Sequence, residues 1–125
     1  MSTTNTLEGV DVVALYRAID QFDAKAFGAF FADDAAYVFS NYPAIHGRDE
    51  IVASAVAFWE TLETLEHHMV GLIPFRGGFV SQLDITFGLG ADRKVTLPAA
   101  IITRTAAGQI SEHRIYVNES PLTER

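Results

Sequence analysis

Residues 67–118 read HHMVGLIPFRGGFVSQLDITFGLGADRKVTLPAAIITRTAAGQISEHRIYVN. Pro74, Gly77-Gly78, Gly88 with Gly90, and Gly108 cut this stretch into pieces of strand length. Each piece is rich in Val, Ile, Thr or Phe, residues that suit a pleated, half-buried surface. The breaks predict strands near 67–73, 78–88, 94–105 and 109–118, joined by short hairpin connections into an antiparallel meander. Neither the Gly-Gly nor the Gly-x-Gly step precedes a helix, as a phosphate-binding loop must, so both are turns.

Upstream of the meander the periodicity changes. Apolar side chains recur at helical spacing from Leu7 through Val10, Val13, Ala14 and Ala18. This predicts a first helix from about Leu7 to Gln21, with Asn5 as its cap and Glu8 completing a capping box. Asp23 caps a second, shorter helix, with Phe22 and Phe27 as a hydrophobic staple and Phe27, Phe30 and Phe31 as its buried stripe. Asp33 and Asp34 close that helix, and Tyr37, Val38 and Phe39 predict a short strand within 35–42 that ends in a turn at Pro43. Gly47-Arg48-Asp49-Glu50-Ile51 opens a third helix, acidic in its first turn where the helix dipole favours negative charge. Ile51, Ala55, Phe58, Trp59 and Leu62 share one face of it, and it should end near Thr64. Helices first and strands second make an α+β pattern, a sheet with one face packed on three N-terminal helices. Residues 1–6 are expected to be a disordered N-terminus, 7–120 a single domain and 121–125 a C-terminal tail.

With 125 residues, 49% hydrophobic and no cysteine, the chain fits one core. At this length roughly two-thirds of the unfolded surface is buried, so no metal or disulfide staple is needed and no cofactor is expected. Nine Lys plus Arg against sixteen Asp plus Glu give a formal charge of -7. Such a balance argues against a phosphate-tracking nucleic-acid surface and against binding to an anionic membrane. No apolar run approaches the ~20 residues of a membrane span, and Met1 to Thr6 has neither the basic start nor the apolar stretch of a signal peptide. The expectation is a cytoplasmic protein.

Asp84 is the first candidate for chemistry. Strand alternation puts Val80, Gln82, Asp84 and Thr86 on one face and Phe79, Ser81, Leu83, Ile85 and Phe87 on the other. If the first set lines a pocket, burial raises the Asp84 pKa and suits it to proton transfer. If that set faces water, Asp84 is a surface carboxylate and the phenylalanines, Leu83 and Ile85 are core. His113 is the second candidate. It shares a face with Ser111, Ile115 and Val117, opposite the charged and polar set Glu112, Arg114, Tyr116 and Asn118. That face points into a cavity, where an imidazole near pKa ~6.5 would shuttle protons and pair with Asp84; the alternative is a core or rim histidine. Tyr37, on one face with Phe39 and Asn41, and Tyr16 from the first helix either aim hydroxyls at a bound carbonyl or water or bond locally within the core. Phe58, Trp59 and Leu62 would both pack on the sheet and wall the pocket, with Phe39, Asn41, Val80, Gln82, Ala100, Ile102, Ile115 and Val117 as further ligand contacts. His67 and His68 point to opposite faces of a strand and cannot easily share one ion, so no metal is expected.

The string Phe31-Ala32-Asp33-Asp34-Ala35, followed by Gly47-Arg48-Asp49 and then the meander, resembles the nuclear-transport-factor-2-like superfamily over about residues 7–120. That group holds the SnoaL-like polyketide cyclases, ketosteroid isomerases and limonene epoxide hydrolases. The resemblance implies a curved, mostly antiparallel sheet wrapped on the helices into a cone with an apolar pocket, and a homodimer through the outer sheet face. With Asp84 in the pocket, that outer face would carry Leu83, Ile85 and Phe87 together with Leu97 and Ile101. The resemblance places Tyr16 where the isomerases keep an oxyanion donor, and Tyr37 and Asp84 where the epoxide hydrolases keep a water-holding tyrosine and an aspartate. Phe39, Gln82, Ala100 and Ile115 stand where those enzymes use polar or charged groups. The implied function is binding of a small hydrophobic molecule by a cofactor-independent acid/base enzyme of isomerase, cyclase or hydratase/hydrolase type. In that enzyme Asp84 and His113 would be acid and base and a tyrosine the hydrogen-bond donor. The alternative is a noncatalytic ligand-binding or dimeric interaction domain, which Phe39, Ala100 and Ile115 favour.

Overall fold

A computed structural model of the chain describes residues 6–123; the expected Asn5 cap, residues 1–4 and the end of the tail lie outside them, while Thr6, expected to be disordered, is part of a strand. The chain opens with a small hairpin, β1 (Thr6–Leu7) and β2 (Val10–Asp11), rather than with helix. Its turn needs left-handed backbone, at Glu8 (φ 50°) and at Gly9 (φ 84°). A Cβ on Gly9 would lie 2.6 Å from the Cα of Gly108, so the hairpin packs directly on a later turn of the sheet. Helix α1 is therefore Val12–Asp20, shorter than expected, and the extended Asp11 caps it by accepting the Ala14 amide at 3.1 Å.

Asp23 caps α2 (Ala24–Gly28) as the sequence predicts, accepting the Ala26 amide at 3.0 Å. Phe31 does not belong to that helix. It begins β3 (Phe31–Phe39), and Asp33 and Asp34 are exposed strand residues. The cause is tertiary. The Phe31 carbonyl accepts Nε and Nη2 of Arg48 at 3.0 and 2.8 Å, while Nη1 of Arg48 pairs with Asp33 at 2.7 Å. The guanidinium thus holds open an irregular stretch of β3 between Phe31 and Ala36. β4 (Ile45–His46) pairs with β3, and α3 runs Arg48–Trp59, ending where the Thr61 hydroxyl donates to the Phe58 carbonyl at 2.6 Å.

The meander forms as expected, from β5 (Thr64–Phe75) through β6 (Gly78–Gly88) and β7 (Lys94–Ala106) to β8 (Gln109–Val117), and a 3-10 turn, Ser120–Leu122, follows. The sheet order is β4-β3-β8-β7-β6-β5, antiparallel except where β3 runs parallel to β8. The architecture is α+β with the helices on one face of the sheet. Among the described residues no helix is long and apolar enough to cross a membrane.

The orientation of the sheet corrects one expectation. Phe79, Ser81, Leu83, Ile85 and Phe87 are all buried, as are Leu97, Ala99 and Ile101 on β7. They face the helices, so they form the core and not the outer patch assigned to a dimer. Val80, Gln82, Asp84 and Thr86 form the outer face, with Pro98, Ala100 and Ile102 beside them. Alternation fixes the two sets, and burial energy chooses between them. Four large apolar side chains at roughly 1.5–3 kcal/mol each outweigh one valine among polar neighbours.

Candidate functional site

The concave inner face and the helices enclose a cavity of about 570 Å³, within the range of small-molecule sites. Its walls are aromatic. Phe39 lies 5.7 Å from Phe58, Phe58 lies 6.2 Å from Phe87, and Phe27 meets Trp59 edge-on at 5.6 Å. Tyr42, Glu119 and Leu122 stand among the lining residues at the end where the chain leaves the sheet. Polar groups enter the wall from β5, β8 and β3, as His67, His113 and Tyr37.

His67 follows Leu65 on the inner face of β5 and lies opposite Ile85 of β6. Asp20, the last residue of α1, grips it twice. Its Oδ1 lies 2.6 Å from Nδ1 of His67, and its Oδ2 accepts the His67 backbone N–H at 3.0 Å. A carboxylate on Nδ1 holds the proton there and leaves the Nε2 lone pair free in the neutral ring. Tyr16 stacks on the other side of the imidazole, with ring centroids 5.2 Å apart. Its hydroxyl is buried without a hydrogen-bond partner among the described residues, and burial drives the Tyr16 pKa up although the Ser81 hydroxyl acts in the other direction.

His113 has different surroundings. Its Nδ1 lies 3.0 Å from the Thr103 hydroxyl, its ring stacks on Tyr37 at 5.6 Å, and Phe31 meets it edge-on at 5.9 Å. Burial pushes its pKa down to about 3, helped by repulsion from His67. The expected proton shuttle near neutrality is corrected accordingly, because desolvation keeps this imidazole uncharged. Burial likewise raises the Tyr37 pKa, so its phenol stays protonated.

Of the residues singled out from the sequence, His113, Tyr37, Phe39, Phe58, Trp59 and Ile115 line the cavity. Tyr16 is buried behind His67, while Leu62 and Val117 pack against the core without joining the cavity wall. Asn41 is exposed in the turn after β3. Asp84 is on the outer face, opposite His68 and Pro98, so it neither lines the cavity nor meets His113. Val80, Gln82, Ala100 and Ile102 are on that same outer face and are corrected with it. Asp20, His67 and Thr103 went unassigned. For His67 a usable signal existed, since alternation places it with Leu65 and Met69 on an apolar face.

Residues 12–113 match the SnoaL-like domain family. No curated protein matches the chain. Among solved structures, a protein from Jannaschia assigned as a SnoaL-like polyketide cyclase superposes with a TM-score of 0.78 at 14% identity, over 98% of this chain and 94% of that one. An epoxide hydrolase from M. tuberculosis gives 0.78 at 16% identity, over 94% and 86%. A protein from Catenulispora acidiphila with a ketosteroid isomerase-like fold, solved with trimethylamine, gives 0.77 at 20% identity, over 84% and 82%. At these identities the likeness is one of fold.

Proposed function

The chain belongs to the SnoaL-like domain family, and from that premise we propose that it binds a small hydrophobic molecule in its cavity and acts on it as a cofactor-independent acid/base enzyme, with His67 as the base. The observation that carries this reading is the Asp20–His67 pair, 2.6 Å apart at the cavity wall and tied a second time through the His67 backbone N–H. The free Nε2 takes a proton from a carbon next to a carbonyl, or from a hydroxyl, and Asp20 stabilises the imidazolium so formed. Return of that proton to another atom of the ligand completes an isomerisation or, when the carbanion adds to a carbonyl of the same ligand, a cyclisation; a hydration follows when the hydroxyl is that of a bound water, whose oxygen adds to the ligand as the proton is returned. Tyr37, held neutral, offers its hydroxyl to the ligand from the same wall, and the aromatic side chains give the bound molecule an apolar setting. The reading also includes a homodimer through the outer face, where Val80, Ala100, Ile102 and the exposed Tyr116 adjoin. Sedimentation that finds only monomer at micromolar concentration removes the dimer.

Trp59 is the single tryptophan and lines the cavity, so its fluorescence reports binding. Aromatic and terpenoid ketones, lactones and epoxides form the screening panel. Ketones that quench Trp59 are followed by NMR in heavy water for exchange of the hydrogens beside the carbonyl. We expect exchange well above the protein-free rate, and a loss of about 100-fold in His67→Gln with quenching retained. Ligands that bind while none exchanges or turns over would overturn the enzyme in favour of a noncatalytic ligand-binding domain.

A further inference from the structure

We propose that His113 serves this cavity as a neutral hydrogen-bond donor to a carbonyl oxygen of the ligand, with Thr103 as the positioning residue that keeps the ring proton on Nε2. The inference rests on the cavity being a ligand site, and not on His67 being a base. Thr103 is fully buried and, among the described residues, its hydroxyl has no partner other than Nδ1 of His113, 3.0 Å away. Were Nδ1 protonated, Thr103 would accept from it, and the hydroxyl hydrogen would be stranded without an acceptor. A buried unpaired donor carries the full desolvation penalty of that group, whereas an unused lone pair costs less. With Thr103 donating, both groups are satisfied and the neutral ring bears its hydrogen on Nε2.

That hydrogen reaches the ligand space. His113 lines the cavity, and Nε2 is not among the stranded buried polar atoms, which among the described residues are Tyr16 OH and Ser81 Oγ. Tyr37 stacked on one side and Phe31 edge-on fix the plane of the ring. Desolvation keeps the ring uncharged near neutral pH, so it donates without competing for the proton that His67 takes. A fixed donor in an aromatic wall selects for an oxygen acceptor, because a hydrocarbon of the same shape leaves the donor unpaired. Among the described residues no Lys or Arg lines the cavity. The fit is therefore to a neutral ketone, ester or lactone rather than to a carboxylate.

Two measurements test this, and neither needs turnover. Nitrogen-15 NMR of histidine-labelled protein should find His113 as the neutral Nε2–H tautomer near neutral pH, and Thr103→Val should shift it towards Nδ1–H while Thr103→Ser restores it. An Nδ1–H tautomer or an imidazolium in the native protein would overturn the assignment. The second measurement is the affinity for 1-tetralone against its hydrocarbon counterpart tetralin, read by quenching of Trp59. We expect the native protein to favour the ketone by about tenfold. Thr103→Val should lose most of that preference with tetralin binding intact, and Thr103→Ser should recover it. No preference for the ketone, whether both bind equally or neither binds, overturns the carbonyl assignment. Exchange lost in His67→Gln with the ketone preference kept separates this donor from the base.

Discussion

Two histidines stack on two tyrosines in this molecule with nearly the same geometry. Tyr16 and His67 are 5.2 Å apart at an interplanar angle of 24°, and Tyr37 and His113 are 5.6 Å apart at 20°. What differs is the group on Nδ1 and the access to water. His67 has the Asp20 carboxylate, itself about a quarter exposed, whereas His113 has a fully buried threonine hydroxyl. In the proposed mechanism the carboxylate fixes the tautomer of one ring and partners its imidazolium. Burial disfavours the charged form of the other, and repulsion from His67 adds to it. The chemistry of an imidazole is thus set by its partner and its solvation, and two like stacks that each bring a histidine to one cavity hold complementary roles in the proposed mechanism.

The largest expected effect comes from the desolvation of His113. Its pKa is about 3 in the fold, against ~6.5 in the unfolded chain. Below pH ~6.5 the unfolded state therefore takes up a proton that the folded state refuses, and stability falls as the pH drops. The loss from this group is about 1.4 kcal/mol per pH unit down to the folded value, where it levels off. Above the unfolded value the group adds no pH dependence. Urea denaturation across this window should find the slope reduced by that amount in His113→Gln. An unchanged slope would mean that His113 is not held neutral by burial.

Truncation sharpens the same contrast. His113→Ala empties a fully buried site beside Phe31 and strands the Thr103 hydroxyl, so it should cost roughly 2–4 kcal/mol. His67→Ala removes a side chain that borders the open cavity and should cost about 1–2 kcal/mol. Denaturation midpoints that move equally would erase the distinction between the two stacks.

The meander was legible because its punctuation is local. Gly77-Gly78, Gly88 and Gly108 mark the turns without help from the rest of the chain, and β6 occupies the predicted residues 78–88. Phe31 was not legible. Its place in a strand depends on Arg48, which lies 17 residues away and bonds to its carbonyl. The inward face of β8 could be read from Glu112, Arg114 and Tyr116, whose polarity marks the outside. On β6 the four large apolar residues opposite Asp84 mark the inner face by the same logic, whereas the resemblance, which sets Asp84 where the epoxide hydrolases keep an aspartate, points the other way. The candidate site suffered more than the fold. His67 stands beside His68 and reads as half of a metal pair that strand geometry forbids. Its actual partner, Asp20, is 47 residues away and reaches it only when α1 is laid against β5.

A comparison of the two carboxylates puts the central claim to its most direct test. In a ketone that quenches Trp59, deuterium exchange beside the carbonyl should slow by about 100-fold in Asp20→Asn, because the His67 imidazolium loses its partner and the ring its fixed tautomer. Asp84→Asn, on the outer face, should leave that rate within a factor of about two and stability within about 0.5 kcal/mol. An exchange rate that survives Asp20→Asn and collapses in Asp84→Asn would contradict the assignment of the base.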